Sequence, residues 1–196
     1  GNAEWMETTP QGWAEWVGFF AALTNTEATA NDLMAEWTAD YDAAAALVAD
    51  VAERPTVLTG ELYDGTWFAR GGQNLVARFI ADAGGDYLYA DTDETGTLSL
   101  DIETVLVDSG DADVWLTTNG GFFTRDEALA IDERYGQFAA WDAGGVWTNV
   151  AAVDPAVSTL EVGPTRIADY LLDYVKIFHP DVAGDHEFVF FEAVTS

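Results

Sequence analysis

Ala52-Glu53-Arg54-Pro55-Thr56-Val57-Leu58-Thr59 is the point where the pattern of this chain changes. Before it, apolar residues recur every three or four positions. Leu33, Met34, Trp37, Tyr41, Ala44, Val48 and Val51 predict one helix from Glu27 to Glu53. At about 1.5 Å per residue that helix is a rod of roughly 40 Å, long for a small domain and suited to joining two lobes rigidly. Arg54-Pro55 stops it, because proline cannot continue a helix and biases its predecessor towards extended backbone. Thr56 to Thr59 then reads as a short β-branched strand.

Upstream, Thr9-Pro10 is a helix start, with threonine as the cap and proline at the first helical position. Trp13, Trp16, Val17, Phe20 and Leu23 follow at helical spacing until Asn25-Thr26. Downstream, strands and helices alternate. A glycine-rich loop, Gly65-Thr66-Trp67-Phe68-Ala69-Arg70-Gly71-Gly72, leads into a helix from Gln73 to Ala83. Tyr87 to Ala90 is strand-like, Leu100 to Ser109 helical, Val114 to Thr117 a buried-type strand. Thr124 with Glu127 forms a capping box for a helix to Ile131. Val146 to Val150 is a strand, Pro164 to Phe178 an amphipathic helix, and Phe188 to Val194 a last strand. This order implies an α/β fold with a mostly parallel, Rossmann-like sheet flanked by helices. There is no internal repeat.

Composition narrows the function classes. The 196 residues are 49% apolar and carry 35 Asp plus Glu against 7 Lys plus Arg, a formal net charge of -28. Lys176 is the single lysine. Such a chain repels nucleic acid and anionic membrane surfaces. The acids are spread along the whole sequence rather than gathered in a tail, which fits a solvated acidic shell in high salt and a halophilic source. The absence of cysteine excludes disulfides, thiol catalysis and thiolate-bound zinc. No apolar run approaches the ~20 residues that span a bilayer. The start, Gly1-Asn2-Ala3-Glu4-Trp5, has neither a basic region before an apolar stretch nor an initiator methionine, so the chain reads as an excised or processed piece.

Several segments in order resemble the iron-complex and cobalamin class of periplasmic binding proteins, which feed ABC importers. They are Arg54-Pro55-Thr56-Val57-Leu58, the loop Gly65 to Gly72, Asp82-Ala83-Gly84-Gly85-Asp86-Tyr87, Leu100-Asp101-Ile102-Glu103, Asp111-Ala112-Asp113-Val114-Trp115 and Ile177-Phe178-His179-Pro180. The resemblance implies three parts: residues 1–25 as the end of an N-terminal lobe, 26–54 as the connecting helix, and 55–196 as the C-terminal lobe of a bilobal binding protein. Most of the N-terminal lobe is absent, so a cleft between lobes is half present. It also implies an extracytoplasmic, lipid-anchored full-length protein, an ABC permease as partner and an iron chelate, haem or corrinoid as ligand, with no cofactor and no catalysis.

Candidate residues follow from both lines. In the loop, Trp67 and Phe68 could stack on a planar ligand while Arg70 pairs with an anionic group; the alternative for Trp67 is the core. The same loop lacks the spacing of a phosphate cradle. Ligands of open α/β sheets bind beyond the carboxyl ends of the strands, which adds Asn119 and Phe122 after one strand and Trp147 and Asn149 on another. Trp67, Arg70, Asn119 and Trp147 are therefore expected on one rim. Glu161 is a candidate for docking on permease arginines, or else a helix-dipole acid. His179 and His186 are too few for a histidine metal site, and no serine sits in a nucleophile-elbow context. An α/β hydrolase or transferase, and a stand-alone interaction domain, stay open as alternatives.

Overall fold

The computed structural model describes residues 3, 6–117, 121–150 and 162–195. Asn119 and Glu161 lie outside the described residues.

Three helices open the chain: α1 (Pro10–Ala14), α2 (Trp16–Thr24) and α3 (Glu27–Ala46). Thr9 caps α1, its hydroxyl accepting from Gly12 N at 3.1 Å. Asn25 ends α2 in the left-handed conformation, φ 55°. α3 is the longest described helix at 20 residues, but it stops at Ala46 rather than Glu53. Beyond Ala46 the N–H groups of Leu47, Val48, Ala49 and Val51 bond to carbonyls three residues back. The rod thus tightens into turns before Pro55.

The main sheet has five strands in the order β4-β1-β6-β7-β8. These are β1 (Thr56–Thr59), β4 (Asp86–Tyr87), β6 (Val114–Leu116), β7 (Val146–Asn149) and β8 (Phe191–Ala193). All pairings are parallel except β7 with the edge strand β8. The mostly parallel α/β expectation therefore holds for this sheet. A second, antiparallel sheet, β2 (Glu61–Tyr63), β3 (Thr66–Arg70) and β5 (Thr97–Leu100), replaces the expected glycine-rich loop. Asp64 (φ 49°) and Gly65 (φ 78°) form its two-residue turn, and positive φ at both positions suits a tight hairpin.

The sheet is covered on both sides, as a mostly parallel sheet must be. On one side α3, α4 (Leu75–Asp82) and α7 (Ile167–Phe178) pack on Val57, Val114 and Leu116. On the other side β3, α5 (Ile102–Ser109) and α6 (Arg125–Ile131) enclose Leu58, Trp115 and Val146. Alternation along β1 and β6 sends neighbouring residues to opposite cores. Thr124 and Glu127 make the predicted capping box on α6.

Candidate functional site

The parallel strands end together on one edge. Thr59 closes β1, Tyr87 closes β4, Thr117 follows β6 and Asn149 closes β7. In an open α/β sheet this edge is where ligands bind. The register staggers the ends: Tyr87 is level with Val57, two residues before Thr59, and Thr59 is level with Leu116 and Trp147, two residues before Asn149.

Side chains at this edge are hydroxyls, an amide and one guanidinium. Arg70 ends β3 and is tied to the edge through its backbone, its N–H donating to Thr59 Oγ1 at 3.1 Å. Its Nε is buried and finds no hydrogen-bond partner among the described residues. An unmet buried donor costs about 1–3 kcal/mol, so this atom is a standing demand for an acceptor. Asn149 Nδ2 donates to Tyr170 Oη at 2.8 Å, and Thr117 donates to Thr148 Oγ1 at 3.0 Å. Burial pushes the Tyr87 and Tyr174 phenols up from their ordinary value, with the Arg70 charge pulling both slightly down. Both therefore stay protonated and neutral near pH 7. Beside Tyr87 a groove of about 570 Å³ runs along α4, lined by Thr9, Gln73, Asn74, Ala77 and Arg78.

Of the residues singled out in the sequence, Arg70 and Asn149 lie on this edge. Trp67 does not. As an inward residue of β3 it is fully buried, where its ring packs against Trp115, Tyr135 and Phe138. Strand alternation settles what the loop reading left open: Trp67 and Ala69 face the core, while Phe68 faces outward, half-buried near Tyr63. The stacking role expected of Trp67 is thus corrected to a core role. Phe122 is corrected likewise; it is 2% exposed and packs on Trp115, Tyr135 and Trp141. Trp147 is level with Thr59 in the register, but it is half-buried against Phe188, with ring centroids 4.8 Å apart. The single rim expected of Trp67, Arg70, Asn119 and Trp147 therefore fails at Trp67, which lies in the core.

Thr59, Tyr87 and Tyr170 escaped the sequence reading. Their available signal was a hydroxyl residue at the end of a short β-branched run, which Thr59 satisfies. The glycine loop offers no phosphate cradle, because the N–H groups of Gly71, Gly72, Gln73, Asn74 and Val76 are all spent on internal acceptors. Both histidines are structural: His179 Nε2 donates to the Gly84 carbonyl at 3.1 Å, and His186 Nε2 to Asp173 at 2.6 Å.

A mostly parallel sheet with helices on both faces and a polar carboxyl edge matches one lobe of a periplasmic binding protein fold. The comparison with known families agrees. The periplasmic binding protein family matches residues 4–148, and the chain belongs to that family, a solute-binding class. It is similar to an uncharacterised lipoprotein of Methanocaldococcus jannaschii, at 25% identity over 97% of this chain and 44% of that protein. Among solved structures it is similar to FepB of Veillonella parvula (17% identity, TM-score 0.65, 94% of this chain and 61% of that one). It is also similar to S. aureus IsdE complexed with haem (14%, 0.62, 87% and 65%) and to Helicobacter pylori CeuE with Ni(II) bound (13%, 0.68, 90% and 54%). The chain thus spans less than two thirds of the length of each of these relatives. No described helix is long and apolar enough to cross a membrane.

Proposed function

We propose that this chain is the C-terminal lobe, with its connecting helix, of an extracytoplasmic, lipid-anchored solute-binding protein that delivers an iron chelate, haem or corrinoid to an ABC permease. The observation that carries the reading is the buried, unpartnered Nε of Arg70 at the carboxyl edge of the sheet, in a chain of this family. A guanidinium held there with one donor unmet is complementary to a carboxylate or phenolate of a chelate. Haem-bound IsdE and the lipoprotein relative support the ligand class and the anchor.

The division at residues 25 and 54 belongs to the same proposal. Phe19, Phe20 and Leu23 on α2 are 53%, 50% and 70% exposed, and between α2 and α3 lies an apolar groove of about 190 Å³. An N-terminal lobe would cover this surface. Glu161 is proposed as a permease contact, and the acidic shell as an adaptation to high salt. The protein acts by binding and release, without catalysis. The test is a tryptophan-quenching titration of the full-length protein, in molar salt, against ferric siderophores, haem and cobalamin. Saturable binding of one of these supports the reading; no binding of any of them refutes it.

A further inference from the structure

Around Arg70 the structure holds a closed ring of three hydrogen bonds. The Tyr87 hydroxyl donates to the Arg70 carbonyl, which can only accept. Tyr87 Oη and Thr59 Oγ1 are 2.9 Å apart; since the Tyr87 proton is committed, Thr59 is the donor there. Thr59 Oγ1 in turn accepts the Arg70 N–H at 3.1 Å. Each hydroxyl thus donates once and accepts once, and both backbone polar groups of Arg70 are clamped.

The ring is itself anchored. Thr59 is fully buried, and its carbonyl accepts the Trp67 indole N–H at 3.0 Å. Trp115 Nε1 donates to Gly60 O at 2.8 Å on the next residue. Gly60 has φ 105°, and a Cβ there would lie 2.2 Å from Phe68 O, so this crossing admits one backbone path. Tyr87 stays protonated, and therefore a donor, over the whole range in which proteins work.

We propose that Thr59 and Tyr87 are positioning residues that fix the Arg70 backbone so that its guanidinium is presented, preorganised, to an anionic group of the ligand. The inference rests on the reading of Arg70 as ligand-facing. It adds a specificity: the clamp matters for anionic ligands and not for neutral ones. A backbone fixed in advance loses less freedom on binding, which raises affinity. Trp67 acts one step behind, through Thr59.

The test uses full-length protein labelled with ¹⁵N on arginine. The Arg70 Nε–H signal is assigned by its loss in Arg70→Lys and followed by exchange with water at mildly acidic pH. In the wild type it is protected, because the atom is buried. In Tyr87→Phe and in Thr59→Val exchange quickens about tenfold or more, and Thr59→Ser restores the protection. Tyr87→Phe also weakens binding of the anionic probes, haem and ferric citrate, while ferrichrome, a ferric hydroxamate with no net charge, is unaffected. Unchanged exchange in both Tyr87→Phe and Thr59→Val overturns the proposal, as does an equal loss for anionic and neutral probes. Melting curves identify a variant that fails to fold, and the other variant then decides. Arg70→Gln separates the two ideas: undiminished binding of the anionic probes in that variant removes Arg70 from the site, while the exchange data still judge the clamp.

Discussion

The two ends of this molecule treat the same kinds of side chain in opposite ways. In the α/β part, Leu58, Trp67, Trp115 and Val175 are wholly removed from water. On α2, Trp16-Val17-Gly18-Phe19-Phe20-Ala21-Ala22-Leu23 is apolar nearly all round, yet Ala21 is its only buried residue. A helix apolar on every side is one built to be enclosed. α3 shows the same gradient along its length: Tyr41 and Ala44 near its end, and Val48 just beyond it, are buried against the lobe, while between Glu27 and Asp40 only Ala30 is. One region is closed on itself, and the other leaves large apolar side chains open.

That contrast can be broken by substitution. Trp67→Ala, in the closed region, removes a fully buried ring and is expected to cost about 3–5 kcal/mol. In a chain of this size that lowers the melting temperature by roughly 10 °C. An equal melting point would show that the second core is not the closed unit described here.

Salt is expected to act next most strongly. Screening shortens the Debye length from ~30 Å at 0.01 M to ~3 Å at 1 M, and the net charge of -28 is spread over the whole chain. The melting temperature should rise steeply from low to molar salt. A flat response would contradict the high-salt reading of the shell.

A smaller effect is expected at Asp173, which is fully buried on α7 and accepts from Phe190 N, Val189 N and His186. Burial raises its carboxyl above the ordinary 3.8, against the pull of those hydrogen bonds. The native state therefore holds this proton more tightly than the unfolded chain does. Its contribution to stability is complete below the unfolded value and is lost as pH rises through the native one. Asp173→Asn should flatten the pH dependence of stability on the alkaline side of 3.8. A slope as steep as the wild type's would place the titration elsewhere.

The smallest effect should come from the open region. Phe19→Ser and Leu23→Ser are expected to change the stability of this 196-residue chain by no more than about 0.5 kcal/mol, as exposed positions do. The same changes in the full-length protein should cost several-fold more. Equal effects in both would sharpen the contrast in the wrong direction, showing that nothing covers α2.

The sequence exposed much of this fold. Thr56–Thr59 was legible as a strand because Pro55 ends the helical pattern beside a β-branched run, and the α6 capping box because its two residues bond each other locally. The second sheet is not legible in this way. Its β2 has three residues, too few for a pattern, although Asp64-Gly65 carried the turn signal. Without that sheet Trp67 falls in a loop with no inward or outward side, so core and rim are not distinguished. At the site, Arg70 was legible from its chemistry. Thr59 and Tyr87 were not, since their role depends on a bond ring joining β1, β3 and β4, which no local spacing encodes.

Arg70 is the residue on which the proposed ligand binding most directly depends. Calorimetric titration of the full-length protein with haem and with ferric citrate in molar salt, wild type against Arg70→Gln, measures its part in binding. The account predicts a loss of affinity for whichever of these binds of about ten- to a hundredfold, the usual scale for removing a charged hydrogen bond, with the fold intact by melting. Equal affinities in the two proteins would contradict it.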